Sequence, residues 1–246
     1  LRAVAEGPLP EVTSGLGQRM LDQYEYYSQA LAGYPRCRAA LQLTLPDLQG
    51  PFSTAELLWG SEIYPAFYEQ PDLIRQLLAK ITAQMLAVFR ALAGKTRDLL
   101  GQGYCHQHGA AVRGNLLIRN DSMINLSPRL YREAVLPFDA QLAEALGGVG
   151  VHFCGNGMHQ VSNLLGMPGM HCLDLGNPEM LDLDALYAQA TPRRVALARL
   201  QVPEAELRAA ALKQRFPRGV TLVHVASSVA AAQRLWQRYV ASEGQP

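Results

Sequence analysis

The sequence has no basic run, no long apolar run and no paired-cysteine spacing, and each absence removes a class of function. Lys and Arg total 22 against 21 Asp and Glu in 246 residues, and Arg is scattered with no stretch of five or more basic residues. That balance creates no strong positive field, so no nucleic-acid partner is expected. No apolar run reaches the ~18 residues of a membrane-spanning helix, and no charged-then-apolar leader opens the chain, so neither a membrane span nor a signal peptide is expected. Cys37, Cys105, Cys154 and Cys172 show no Cys-x-x-Cys spacing. In a chain this long they read as reduced thiols or metal ligands of a cytoplasmic protein, not as a disulfide framework. No Gly-x-Gly-x-x-Gly follows an expected strand and no Walker-type loop occurs, which leaves dinucleotide and nucleoside triphosphate roles unsupported.

What is present is alternation. Ser14 is placed to cap a helix running to about Ala32, ended by Gly33 and Pro35. Ala39 to Leu45 reads as a strand, and Pro71 to about Ala93 as a long helix with Leu73, Leu77, Ile81, Met85 and Val88 on its core face. Residues 101–114 read as a Gly-rich connection. From there, expected strands (Asn115–Arg119, the stretch from Val149, Met170–Leu175, Arg194–Leu200, Gly219–Val225) alternate with expected helices (Arg129–Leu146, Met158–Leu165, Asp182–Ala190, Pro203–Phe216, and Ser227 or Ser228 to about Tyr239). Strand and helix in turn imply parallel strands with covering helices, in an open doubly wound sheet or a closed barrel. The polar residues Asp121, Ser122, His152, Cys154, Asp174, Asn177, His224 and Ser227 gather at the strands' C-terminal ends, where such folds bind ligands. A single (β/α)8 TIM-barrel-like domain is expected. Six strands are two short of eight and the chain opens on Leu1, so part of the barrel is expected to be missing at the N-terminus.

Val149-Gly150-Val151-His152-Phe153-Cys154-Gly155-Asn156-Gly157 is the most chemically loaded stretch. As a strand it puts His152 and Cys154 on one face, and the glycines turn the chain just beyond. Imidazole and thiolate together can hold zinc if further ligands arrive; the alternative is a hydrogen-bonded buried His beside a Cys packed as a small apolar residue. Cys105, His106 and His108 form a second candidate, either a metal site or a solvated loop. His171 and Cys172 are adjacent and face opposite sides of their strand. Asp121 is placed to act as a general acid or base or to support Ser122 and its loop. Asp174 and Asn177 flank a strand end and serve either a ligand or the adjoining turn and helix cap.

The order of several short motifs resembles the uroporphyrinogen decarboxylase superfamily, over roughly Leu41 to the end. Gly50-Pro51-Phe52 resembles its Gly-x-Pro-aromatic loop. Asp121-Ser122-Met123-Ile124-Asn125-Leu126-Ser127-Pro128, with Pro137 beyond, resembles its acidic-Ser-x-x-x-Leu-Ser-Pro segment, and Leu222-Val223-His224 its terminal-strand Leu-Gly-His. The resemblance implies a (β/α)8 barrel and one of two chemistries.

His152-Phe153-Cys154-Gly155-Asn156 is similar to the His-x-Cys-Gly segment of the corrinoid-linked methyltransferases, which hold zinc with that pair and a distant Cys. Here the distant position falls at Val225-Ala226-Ser227, so His224 or His159 is expected to complete the set with His152 and Cys154. That branch implies methyl transfer from a corrinoid carried on a partner protein to a thiol-type acceptor. Asp121 and Ser122 would position the substrate, and Phe52, Asn156, Asp174 and Asn177 would contact it.

The other branch implies cofactor-free decarboxylation of a porphyrinogen-like tetrapyrrole with Ser122 and His224. The family's N-terminal Arg motif and strand-end Asp have no counterpart here, and its Tyr falls near Leu57. Arg113, Arg119 and Arg199 are the candidates for substrate carboxylates. A third possibility is a barrel that binds a corrinoid or tetrapyrrole without chemistry. Open strand edges also lead to the expectation of pairing with a second copy.

Overall fold

The computed structural model describes residues 2–96 and 103–242. Short apolar runs bounded by glycines and helix caps form strands β3 (Leu116–Arg119), β4 (Val149–Phe153), β5 (Met170–Leu175), β6 (Ala196–Gln201) and β7 (Val220–Val223), preceded by a hairpin of β1 (Tyr104–Gln107) and β2 (Ala110–Arg113). Strands β3 to β7 pair in chain order, every neighbouring pair parallel. The fold is therefore mixed α/β, and the strand order runs without the reversal that marks a doubly wound sheet. Among the described residues the sheet is open, with β7 at one margin. No helix among them is long and apolar enough to cross a membrane.

Alternation along each strand decides which side chain meets which layer. Leu116, Ile118, Val149, Val151, Phe153, Leu173 and Leu175 face the helices, including Pro71–Leu92 and Leu136–Leu146, and belong to the main core. Leu117, Cys172 and Ala198 face the other way and meet Cys105 and Val112 of the β1–β2 hairpin in a second, smaller core. Gly150 makes that approach possible, because a Cβ there would sit 2.7 Å from a Val112 methyl.

The hairpin departs from the expected Gly-rich connection, of which residues 101 and 102 lie outside the described residues. Cys105, Gln107, Ala110 and Val112 are buried in alternation. His108 and Gly109, with φ of 53° and 73°, supply the two positive-φ positions that a tight hairpin turn of the type I′ class requires.

The expected strand Ala39–Leu45 is corrected: Pro35–Ala40 is a short helix, and the segment from Leu41 to Leu45 is irregular. Pro35 starts that helix at its first position, and no side chain of the segment is buried to hold a strand there. Residues 48–50 instead line the margin of β3, where Arg119 N donates to Leu48 O at 3.3 Å and Gly50 N to Arg119 O at 2.6 Å.

The expected helix over Arg129–Leu146 is interrupted by a π-helical turn at Tyr131–Val135, just before Pro137, which has no N–H for the ordinary bond one turn back. The expected helix Pro203–Phe216 is likewise broken, into a 3-10 turn at Glu204–Glu206 and a helix at Ala209–Arg215.

Candidate metal centre

The site is built on a row of residues in register across the hairpin side of the sheet: Arg119 on β3, His152 on β4 and Asp174 on β5. Asp174 is fully buried. It accepts from His152 Nδ1 and His108 Nδ1, both at 2.8 Å, and from Arg199 Nε at 2.5 Å. Burial alone would raise its pKa, but the hydrogen bonds of His152, Arg199 and His108 outweigh it and hold the carboxyl at about 2. Asp174 is thus a fixed anion.

An anion that can only accept makes His152 Nδ1 the donor. The ring's other nitrogen, Nε2, then presents its lone pair at the sheet's C-terminal edge, 3.5 Å from Cys154 Sγ and 3.6 Å from Asp121 Oδ1. His108 reaches Asp174 from the hairpin tip and accepts from Arg119 through Nε2, so it is held neutral. Its pKa lies below the ordinary imidazole value because of burial first, with the Arg119 charge adding to the shift.

Asp121 opens the 3-10 turn Asp121–Asn125 just past β3, and Asn120 N donates to His152 O at 2.8 Å across the gap. Cys154 N in turn donates to Asp121 Oδ1 at 2.7 Å, which fixes the carboxylate beside the thiol. Burial raises the Cys154 pKa, and the Asp121 charge raises it further. Carboxylate oxygen, imidazole nitrogen and thiol sulfur of Asp121, His152 and Cys154 all lie within 4.8 Å of one another. His108, His152 and Asp174 form a second such group.

The remaining expected site residues are distributed around this centre. Ser122 is buried behind it, with Oγ donating to Glu56 and N donating to Ser53 Oγ. Tyr64 also donates to Glu56, at 2.5 Å, and its pKa is raised to about 12 by burial and by that carboxylate. Asn177 Oδ1 accepts from Gly155 N at 3.0 Å and so ties the loop after β5 to the loop after β4. Asn156 Oδ1 accepts from Met158 N within its own turn.

Phe52 is 1% exposed, packed against Phe67 and Tyr64 in the main core. His159 is exposed on the 3-10 turn Met158–Gln160, and His224 Nδ1 lies 2.9 Å from Val202 O beyond β7. Neither joins a metal-holding group among the described residues. Of the candidate cluster Cys105, His106 and His108, only His108 reaches the centre. Cys105 is in the hairpin core, and His106 approaches Gln42.

Three participants were not legible as such. Glu56 sits in an ordinary helical stretch. Arg199 reaches Asp174 through a register irregularity in β6, where its φ is 57°. Asp121 was legible as a candidate general acid or base but not as a candidate metal ligand, because its nearness to Cys154 arises from the pairing of β3 with β4.

The donor set fits zinc. Imidazole, thiolate and carboxylate are its usual ligands, and tetrahedral bonds of about 2.0–2.3 Å place ligand atoms roughly 3.3–3.6 Å apart, close to the separations from His152 Nε2. Without a cation, an ionised Cys154 and Asp121 repel one another, which is the cause of the raised thiol pKa after burial. Neither a scan of protein-family models nor a search of curated proteins returns a match.

Proposed function

We propose that the chain is a zinc-assisted methyltransferase of the uroporphyrinogen decarboxylase superfamily, with Asp121, His152 and Cys154 holding the metal. The observation that carries this reading is the convergence of those three donors on one point at the C-terminal edge of a parallel sheet, with Asp174 behind the imidazole. The superfamily assignment rests on the order of the sequence motifs. The reversal-free strand order supports a (β/α)8 relationship, since an arc of such a barrel is ordered in this way.

Three protein donors leave one position for a substrate, the pattern of catalytic rather than structural zinc. A zinc held by Asp121, His152 and Cys154 would lower the pKa of a substrate thiol, and the thiolate would take the methyl group from a corrinoid on a partner protein, the electron pair of the broken cobalt–carbon bond staying on the cobalt. The chain's own residues do the rest. Asp174 holds His152 in the tautomer that exposes Nε2, Arg199 and His108 keep Asp174 anionic, and Asp121 is anchored by the Cys154 amide. Ser122 donates to Glu56 in a hydrogen-bonded pair that supports the segment following Asp121.

Cys154, His152 and Asp174 in line also have the order of nucleophile, base and orienting carboxylate. The raised thiol pKa opposes nucleophilic use of Cys154, and the metal reading accounts for Asp121 as well. Decarboxylation has less support, because Ser122 is turned to Glu56 and His224 to a backbone carbonyl.

The test is metal content after purification without chelator. About one zinc per chain in the wild type, lost in Asp121→Ala and in His152→Ala/Cys154→Ala, supports the centre. Thiol methylation with methylcobalamin as donor then tests the chemistry. A folded wild type that holds no zinc and retains none on titration overturns the reading.

A further inference from the structure

At the opposite end of the sheet from His152 lies a cavity of about 730 Å³ bounded by the open end of the hairpin and the N-terminal ends of β6 and β7. Three arginines line it: Arg113 at the end of β2, Arg194 just before β6 and Arg218 just before β7. No carboxylate lines it, and among the described residues none of the three is ion-paired. Several other arginines are ion-paired: Arg119 meets Asp47, Arg199 meets Asp174, Arg215 meets Asp184 and Arg238 meets Glu204. Unneutralised guanidiniums gathered from three separate segments make a local positive field that the near-zero net charge of the chain conceals.

The backbone holds these groups in place. Arg194 has a φ of 58°, a left-handed conformation that glycine adopts more readily, yet an arginine occupies it, and its carbonyl accepts from Arg113 Nη1 at 3.4 Å. Tyr187 Oη donates to Arg218 O at 3.0 Å and pins the segment before β7. Between the arginines the wall is apolar, formed by Ala196 and Val220, with the Tyr104 ring at the rim. A concave site of this volume suits a small molecule. Guanidiniums in a fork geometry match phosphate and carboxylate oxygens.

We propose that this cavity binds a small organic molecule carrying two or more negative charges, through Arg113, Arg194 and Arg218. The site is separate from the metal centre. The second core of Val112, Cys172 and Ala198 lies between them, so the ligand acts on the chain from the other end of the sheet and does not share the metal's open position. Of the three arginines the sequence suggested for a carboxylated substrate, Arg119 and Arg199 belong to the metal centre and Arg113 belongs here.

The test is calorimetric titration of the full chain with two probes, inorganic pyrophosphate and tricarballylate, at 50 and 300 mM NaCl. Saturable binding of at least one probe is expected. Its Kd should rise tenfold or more in Arg113→Gln/Arg218→Gln and several-fold at the higher salt. Preference for pyrophosphate identifies a phosphorylated ligand; preference for tricarballylate identifies a polycarboxylate.

Arg194→Gly separates binding from folding. It relieves the left-handed backbone, so Tm should hold or rise while affinity falls. No binding of either probe to the wild type, or equal binding in the double variant, overturns the proposal. Unchanged affinity in Arg194→Gly removes that residue from the site and overturns the three-arginine assignment.

Discussion

Nδ1 of His152 and Oδ2 of Asp174, on neighbouring parallel strands and in register with each other, are 2.8 Å apart. The bond sets the imidazole's tautomer and its angle. Partners of this kind behind a ligating His contribute 10- to 100-fold in metal affinity. Asp174→Asn should therefore lower zinc affinity by that factor in chelator competition. It should also cost about 2–4 kcal/mol of stability near neutral pH, because Arg199 loses its carboxylate. The folded-state pKa of about 2 lies below the ordinary carboxylate range, so Asp174 contributes stability above that range and loses it as pH falls towards 2. Urea titrations from pH 5 to pH 2 should show a shallower acid loss in the variant than in the wild type.

Two groups that could hold a metal share His152, and one pair of substitutions decides between them. Asp121→Ala should abolish zinc binding, whereas His108→Ala should leave the stoichiometry intact. Metal analysis of both proteins is sufficient. Loss in His108→Ala with retention in Asp121→Ala would move the ion to the hairpin side.

Cys154 carries a thiol whose pKa is raised by burial and then by Asp121, so the metal-free protein should react slowly with iodoacetamide at pH 8. Asp121→Asn removes the neighbouring negative charge and should speed alkylation several-fold. Zinc should protect Cys154 in the wild type. Mass spectrometry of the labelled Cys154 peptide reads all three.

Gly176 follows β5 beside the centre, and a Cβ there would lie 2.6 Å from Cys154 Sγ and 3.0 Å from Phe153 O. The thiol can turn away but the backbone oxygen cannot. Gly176→Ala should displace Cys154 and weaken zinc binding tenfold or more, with about 1–3 kcal/mol lost from packing. Wild-type zinc affinity in a folded Gly176→Ala protein would show that Cys154 is not a ligand.

Asp139 lies in the core, where Oδ2 accepts from Tyr131 Oη and Asn120 Nδ2, both at 2.7 Å, and Oδ1 has no partner. Burial pushes its pKa up to about 7, against the opposing effect of those two hydrogen bonds. Between the ordinary carboxylate range and about 7, the folded chain binds this proton and the unfolded chain does not. Stability should therefore decline as pH rises through that window, by up to about 4 kcal/mol. Asp139→Asn should flatten the decline and match or exceed the wild type at pH 8. A variant that keeps the slope would assign it to other groups.

Much of the architecture was legible because it is local. Strand β5 runs over Met170–Leu175 as its apolar pattern implies, and Ser127, Asp182 and Ser228 each accept the backbone N–H expected of a helix cap. The pairing of His152 with Cys154 followed from a period of two along one strand. The hairpin was missed because the glycines around it resemble a loop, while the residue that closes its turn is His108, an uncommon one at positive φ.

What the chain alone determined is thus short-range: the alternation of strand and helix, the caps, and two candidate donors, His152 on β4 and Cys154 just past its end. The third donor and everything behind the first two were decided by tertiary structure. Asp121, Asp174, Arg199 and His108 come from four segments separated by up to 91 positions in sequence, and no periodicity links them. They meet because parallel pairing sets β3, β4 and β5 in register, because β6 shifts its register at Arg199, and because Gly150 lets the hairpin lie close enough for His108 to reach Asp174. Backbone pairing and close packing fix those distances, and neither is encoded within a single segment.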